Sequence, residues 1–389
     1  LPPPEDRIFH RVVIATGAAP LCEEHVPGSS GSLIIKPDIQ AADHWMQNND
    51  TFQPFAIGDL EPSGSFVRVF DEVALDIVMH ELDTIRDFTD YLEKRSSFIR
   101  SGRLREAHGE ENLLAYYATR INEDGDHDFK TDQKEEPILI DRSHYKRFSN
   151  HPQVVAKRKA DRVSYLWDEL INAFTVHMLD GTSITLDGHP EFELRKNELG
   201  VRYMALTNRF HRRSLGEAAA DAFEKGKETD RFFRMMVGPP NARESETAFF
   251  IFTFKYLDWM ENDGGYEKYR QIRSNFAHVY AKGILEKFPH LKRVIGISRE
   301  PPGQGRGISE DLIYAEQADW SDEDREAIRK DCEDFGVLQN RMQQKPWKGR
   351  EFPDVETVRF EFTPPKTHAK GQNRKQRRAI AAKARKRKK

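Results

Sequence analysis

Residues 249–256 (FFIFTFKY) and 293–298 (RVIGIS) are two short runs of aromatic and β-branched side chains. Such runs predict buried strands, because a strand that is covered on both faces presents no polar side. Between them, residues 266–288 have the apolar spacing of an amphipathic helix. Two strands joined through a helix form a βαβ unit with parallel strands and a right-handed crossover. The C-terminal third is therefore predicted to be an α/β region.

Further elements surround this unit. Short apolar or alternating segments predict strands at residues 232–237, 311–316 and 355–362. Ser321 and Asp324 have the spacing of a capping box, which predicts a helix running to about residue 335.

The first two thirds of the chain predict strands and then helices. Strands are expected within residues 7–19, 32–36, 52–60 and 66–70. Helices are expected at residues 72–82, 85–99, 110–121, 153–179, 198–210 and 215–225. Capping boxes at Thr84 with Asp87, and at Ser214 with Glu217, mark two of the helix starts. The fold class is a mixed α+β chain with a mainly helical middle.

Domain boundaries follow from length and composition. The 389 residues are enough for two to three domains. Residues 122–136 are polar and acidic, and Pro137 ends this stretch, which predicts a linker. We divide the chain into residues 1–136, 137–228, 229–365 and 366–389.

The composition excludes several classes of protein. Hydrophobic residues make up 38% and charged residues 32% of the chain, which is typical of a soluble globular protein. The longest apolar stretch, residues 248–254, is too short to cross a membrane. Cys22 and Cys332 are the two cysteines, too few for a disulfide framework, and the chain begins at Leu1 without a charged and apolar leader. These features predict a cytoplasmic setting and no membrane partner.

Charge is distributed unevenly along the chain. Residues 366–389 contain twelve Lys or Arg and no acid, whereas the other 365 residues carry 49 bases against 64 acids, a net charge of −15. Like charges are expected to keep this basic segment disordered until a polyanion neutralises it. Its partner is predicted to be nucleic acid or a ribonucleoprotein, with a solvated tail or an anionic lipid surface as the alternatives. The residues predicted to anchor the polyanion are Lys370, Arg374, Lys375, Arg377, Arg378, Arg385 and Arg387. The segment has no aromatic residue, so phosphate contacts without base stacking are expected.

An acidic stretch matches part of a calcium-binding loop of twelve residues. The acids at loop positions one, three, five, nine and twelve are Asp124, Asp126, Asp128, Asp132 and Glu135. Phe129 stands at position six, where the sharp turn requires glycine, and Pro137 opposes an exiting helix. A solvated acidic linker is the simpler interpretation.

Metal-dependent phosphodiester chemistry needs carboxylates that hold Mg²⁺ and polarise a water molecule. The candidates are Asp311 with Glu316 on one predicted strand, and Asp187 with Glu193 and Lys196 as a partial set. Ordinary surface charge is the simpler interpretation of both sets, because neither is complete. A magnesium cofactor is expected only if this alternative holds.

A glycine-rich stretch follows the predicted strand at 293–298. Gly303, Gly305 and Gly307, with Arg299 and Arg306 close by, are compatible with a phosphate-binding loop. The Lys and Ser or Thr of a P-loop are missing, and the next segment has the pattern of a strand instead of a helix. A surface loop is therefore the simpler interpretation.

Three stretches carry a resemblance to a family. Residues 66–92 (FVRVFDEVALDIVMHELDTIRDFTDYL), 109–117 (GEENLLAYY) and 293–316 (RVIGISREPPGQGRGISEDLIYAE) resemble a group of uncharacterised bacterial proteins. Fuller members of that group carry a segment similar to a restriction-endonuclease core. The resemblance implies that this segment would lie before Leu1, so it transfers no catalytic residue to this chain.

Three functions are compatible with these observations. The leading hypothesis is a cytoplasmic bacterial protein associated with nucleic acid, the non-catalytic remainder of a nuclease-like protein. The alternatives are a metal-dependent phosphodiesterase and a protein-interaction adaptor whose acidic body contacts a basic partner.

Overall fold

The computed structural model describes residues 11–15, 34–35, 67–100, 103–121, 126–129, 138–179, 191–238, 245–262, 264–303, 310–339 and 347–355. Helices and strands occur together along these residues, so the protein is mixed α+β, as predicted. The chain divides into two compact units. The first comprises Leu1–Glu81, Thr89–Val154 and Val355–Lys389, and the second comprises Leu82–Phe88 and Val155–Asp354. The predicted boundary after residue 136 lies inside the first unit, and the one after residue 228 lies inside the second.

Among the described helices, none combines the length and the apolar character that crossing a membrane requires.

The bounds of the elements are as follows. The strands are β1 (Arg11–Ala15), β2 (Ile34–Ile35), β3 (Val67–Asp71), β4 (Leu104–His108), β5 (Ile138–Ile140), β6 (Arg231–Met236), β7 (Thr247–Phe254), β8 (Arg293–Arg299) and β9 (Glu310–Glu316). The helices are α1 (Glu72–Glu81), α2 (Ile85–Arg100), α3 (Glu110–Ala118), α4 (His144–Ser149), α5 (Pro152–Ala160), α6 (Tyr165–Leu179), α7 (Glu191–Ala205), α8 (Arg209–Glu228), α9 (Gly265–Lys287) and α10 (Asp322–Asp334). Within the described ranges, 3₁₀ turns span Asp161–Ser164 and Asp258–Asn262.

The second unit is built on a four-stranded sheet in the order β6-β7-β8-β9. Strands β7 and β8 are parallel and are joined through α9, which confirms the predicted βαβ unit. Strands β6 and β9 pair antiparallel with their neighbours. Side chains of α6, α7 and α8 cover one face of the sheet, and side chains of α9 cover the other. Because both faces are covered, β7 is apolar along almost its whole length.

The first unit has an aromatic core beside short strands. Strand β4 is parallel to β5 and antiparallel to β2, and β1 is parallel to β3. The ring of Phe129 is fully buried and stacks on Phe98 with ring centroids 4.5 Å apart. In the same core, Arg95 donates Nε and Nη2 to the two carboxylate oxygens of Glu110 at 2.7 and 2.8 Å. Each charge is removed from water, so each depends on the other.

The single helix predicted over residues 153–179 is wrong, because the 3₁₀ turn from Asp161 to Ser164 separates α5 from α6. Helix α8 approaches this turn closely at Gly216, where a Cβ atom would lie 2.2 Å from the carbonyl oxygen of Val163. Such an approach requires glycine. The sequence does not reveal the break, because residues 161–164 contain no Gly or Pro that would interrupt a helix.

The capping box predicted at Ser214 is wrong as well. Helix α8 begins earlier, and its N-cap is Asn208, whose side-chain oxygen accepts the amide of His211 at 2.7 Å. Ser214 lies inside the helix, where its hydroxyl donates to the carbonyl of His211 at 2.8 Å. The interior position follows because residues 209–213 continue the helix without a breaking residue.

The two candidate caps of α8 are distinguished by mutation. Asn208→Ala is expected to lower the free energy of unfolding by about 1 kcal/mol, because an amide in the first turn loses its acceptor. Ser214→Ala is expected to change it by less than about 0.5 kcal/mol. Urea denaturation of both variants measures the difference. A larger loss for Ser214→Ala than for Asn208→Ala would contradict this assignment.

Most other predicted elements are confirmed. Thr84 accepts the amide of Asp87 at 3.1 Å at the start of α2, and Ser321 with Asp324 forms a complete capping box on α10. Helix α7 is displaced toward the N-terminus from the predicted 198–210. The strand predicted at 52–60 lies outside the described residues, as does the strand at 355–362 beyond its first residue.

Candidate functional site

The seven cations predicted to anchor a polyanion lie outside the described residues, as do Asp187, Gly305, Arg306 and Gly307. Gly303 is described and has a left-handed φ of 80°. Glu193 and Lys196 lie on α7.

The acidic stretch proposed for calcium is described only in part. Asp126 and Asp128 are described, whereas Asp124, Asp132 and Glu135 are not. Phe129, at the position where a calcium loop needs glycine, is an aromatic core residue. The part of the chain that the structure describes contains no group of three His, Cys, Asp or Glu side chains suited to a metal ion.

The two candidate catalytic acids lie at opposite ends of β9. Asp311 is near its start, on the sheet face that α9 covers, and its side chain is 1% exposed. Glu316 is the last residue of the strand, is exposed, and accepts a hydrogen bond from the hydroxyl of Tyr314. Residues five apart on a strand point to opposite faces, so the structure does not bring these carboxylates together.

Asp311 instead forms a buried ion pair with Arg273 of α9. Nε and Nη2 of Arg273 lie 2.9 and 2.8 Å from Oδ2 of Asp311, and the arginine side chain is fully buried. Burial raises the pKa of Asp311, although the guanidinium of Arg273 acts in the opposite direction. Ser298, the β8 residue paired with Asp311, is also fully buried. A carboxylate held by a guanidinium in this way is poorly suited to a divalent cation, because the two cations repel.

A second charged cluster lies at the start of α8. The basic run there places Arg209, Arg212 and Arg213 in the first turns of the helix, and all three are buried. Cations at a helix N-terminus are unfavourable with respect to the helix dipole. Here three aspartates compensate them. We call Arg209, Arg212 and Arg213 the arginine cluster.

Each cluster arginine has an acidic partner. Arg209 donates to Asp83 at 2.8 Å and to Asp168 at 2.6 Å. Arg212 donates to the other oxygen of Asp168. Burial alone would lower the pKa of Arg209, but Asp168 and Asp83 hold it above its ordinary value. The acids therefore keep these arginines charged inside the fold.

The third arginine holds the C-terminal strap, which we define as residues 347–354. Arg213 pairs with Asp161 at 3.2 Å and donates to the carbonyls of Arg350 and Glu351. Trp347 packs on Phe210 with ring centroids 5.0 Å apart. Its Nε1 donates to the exposed carboxylate of Glu217 at 2.8 Å. The strap is thus attached to α8 by both polar and aromatic contacts.

Two basic runs of the sequence lie at the cluster. Residues 155–164 and 209–213 contain seven Lys or Arg and one Asp. The sequence shows both basic runs but does not indicate which is buried: the α8 run is buried, whereas Lys159 and Arg162 are exposed. The sequence analysis did not identify Trp347 and Lys348, whose only signal is an aromatic residue beside a cation in a polar segment.

Comparison of this chain with protein-family models, curated protein sequences and solved structures gives no match.

Proposed function

We propose that this protein binds nucleic acid through its basic segment, residues 366–389. The observation that carries the proposal is the uneven distribution of charge along the chain. The basic segment has twelve cations and no acid, whereas the rest of the chain has a net charge of −15. A body with a net charge of −15 has no net electrostatic attraction for phosphates, so a segment of this kind dominates the long-range approach to a polyanion. The resemblance to bacterial proteins with a nuclease-like segment and the low cysteine content support a bacterial, cytoplasmic setting.

The described part of the chain that precedes the basic segment is the strap. The strap ends at Asp354, twelve residues before the basic segment begins, and Arg213 and Phe210 attach it to α8. The strap, which precedes the basic segment in the chain, therefore has a defined place on the second unit.

A metal-dependent phosphodiesterase finds no support among the described side chains. Such an enzyme needs converging ligands, and no suitable group of three occurs in the described ranges. Asp311 is held by Arg273 and lies a whole strand away from Glu316. No contact among the described residues specifically favours the adaptor alternative.

The salt dependence of binding tests the proposal. We expect the affinity of the full chain for a 20-base-pair DNA duplex to fall about 10³- to 10⁵-fold between 50 and 200 mM salt, because six to ten phosphate contacts release their counterions. Fluorescence anisotropy of a labelled duplex measures this change. The absence of binding at 50 mM salt, or a nearly flat dependence, would contradict the proposal.

A further inference from the structure

An exposed polar face runs along the end of α5, the 3₁₀ turn and the start of α6. Lys159, Arg162 and Tyr165 follow one another at intervals of three residues, and all three are exposed. Among the described residues, Lys159 and Arg162 have no carboxylate partner. Many other exposed cations do, as in the pair of Arg202 with Glu198 at 2.5 Å. We call Lys159, Arg162 and Tyr165 the exposed face.

The face presents an aromatic ring in a fixed orientation. The side chain of Tyr165 is 48% exposed, although the guanidinium of Arg209 lies 4.6 Å from its ring centroid. Its hydroxyl donates to Asp83 at 3.0 Å, which restrains the ring. A ring that rests on a cation and remains half open to solvent is a suitable platform for a flat partner.

A second exposed ring belongs to the strap at the same end of α8. Trp347 is 40% exposed, and its indole is held by Phe210 and Glu217. Lys348, the next residue, is exposed and has no ion-pair partner in the described part of the chain. Tyr165 and Trp347 therefore contact adjacent residues of α8, Arg209 and Phe210.

Two acids near Tyr165 are neutralised, whereas the exposed carboxylate of Glu217 lies beside the second ring, 2.8 Å from Nε1 of Trp347. Asp83 and Asp168 are neutralised by the arginine cluster, with Arg209 contacting both. Glu169 is exposed one helical turn beyond Tyr165, so the exposed face ends at an acidic residue on that side. The combination of unpaired cations with exposed rings matches the chemistry of unpaired nucleotides, whose phosphates are anionic and whose bases stack.

We infer that the exposed face and Trp347 form a contact for single-stranded nucleic acid. Lys159, Arg162 and Lys348 bind phosphates, and Tyr165 and Trp347 each stack on a base. The inference rests on the proposed function and deepens it, because the basic segment has no aromatic residue and cannot distinguish strands by stacking. Duplex DNA hides the faces of its bases within the helix, so only unpaired bases reach these rings.

The test compares single-stranded and duplex binding by full-length variants. Affinities are measured by anisotropy with a labelled 20-nucleotide strand and with the same strand annealed to its complement. Tyr165→Leu is expected to weaken single-strand binding about 5- to 100-fold and to change duplex binding less than about twofold. Tyr165→Phe keeps the ring while losing the hydroxyl, and it should retain single-strand binding within about twofold.

The phosphate contact is tested by removing one cation of the exposed face, and the control removes a cation elsewhere on the second unit. Arg162→Gln is expected to weaken single-strand binding and to reduce its salt slope by about 0.7, as the loss of one phosphate contact requires. Lys282→Gln removes an exposed cation of α9, away from the face, and should change neither quantity. Thermal unfolding of each variant separates loss of contact from loss of fold.

Each outcome bears on a different claim. If Tyr165→Leu and Arg162→Gln leave single-strand affinity unchanged while salt-dependent binding persists, the exposed face does not bind single strands. The proposed function then still stands. If a folded Tyr165→Leu variant loses the same fraction of its affinity for single-stranded and for duplex DNA, the stacking role of Tyr165 is also wrong. If the full chain binds neither form, the proposed function fails together with the inference.

Discussion

Deleting residues 366–389 is expected to lower the affinity for duplex DNA at least about 100-fold at 0.1 M salt, because the electrostatic term supplies nearly all non-specific binding. Under the proposed function, the twelve cations of this segment supply the main attraction for phosphates in a chain that is otherwise acidic. The salt slope should flatten at the same time, since fewer counterions are released. Anisotropy titrations at several salt concentrations give both quantities.

Two variants serve as controls for the deletion. Changing Lys370, Arg374, Lys375, Arg377, Arg378, Arg385 and Arg387 to glutamine removes most of the charge while keeping the length, and it should reproduce most of the loss. Shuffling the order of residues 366–389 preserves charge and should preserve binding, because phosphate contacts carry no sequence information. Unchanged affinity and slope after deletion would refute the proposed function.

Arg273→Ala is expected to destabilise the second unit by about 3–5 kcal/mol, because Asp311 would be left as a buried, uncompensated carboxylate. Both side chains are almost completely removed from water. The double variant Arg273→Met with Asp311→Leu should recover most of this loss, since apolar groups of similar volume need no partner. Urea unfolding measures the two free energies.

An exposed pair provides the comparison. Arg202→Ala, which breaks the pair with Glu198 at the surface of α7, should cost less than about 1 kcal/mol. If Arg273→Ala cost no more than Arg202→Ala, the description of a buried, interdependent pair would be wrong. The result also affects any activity assay, because a loss on Asp311→Ala would follow from unfolding and would not identify a catalytic acid.

The sheet of the second unit was predictable because its strands and helix show their patterns in residues that are close together in the sequence. Strands β7 and β8 are continuous apolar runs, and the helix between them has a clear apolar spacing. The capping box of α10 was predictable for the same reason, since Ser321 and Asp324 interact within one helical turn. Ser214 has similar spacing to Glu217 but lies inside α8, because Asn208 begins the helix earlier.

The candidate site was predictable only in its charges. The basic runs near residues 155–164 and 209–213 are visible in the sequence. Their periodicity does not indicate that Arg209 meets Asp83, a residue more than a hundred positions away. Likewise, no local pattern places Trp347 on Phe210. Contacts between distant segments depend on how the elements pack, which local spacing does not encode.

The amino-acid sequence by itself determined the mixed α+β class, the βαβ unit and the division of charge, because these depend on composition and on side chains close together in the chain. Only the tertiary structure decided which cations are buried and which are open. Arg213 is buried because Asp161 compensates it inside the fold, whereas Arg162 is exposed and has no partner in the described ranges. The physical reason is that a charge enters the interior only where packing brings an opposite charge to it.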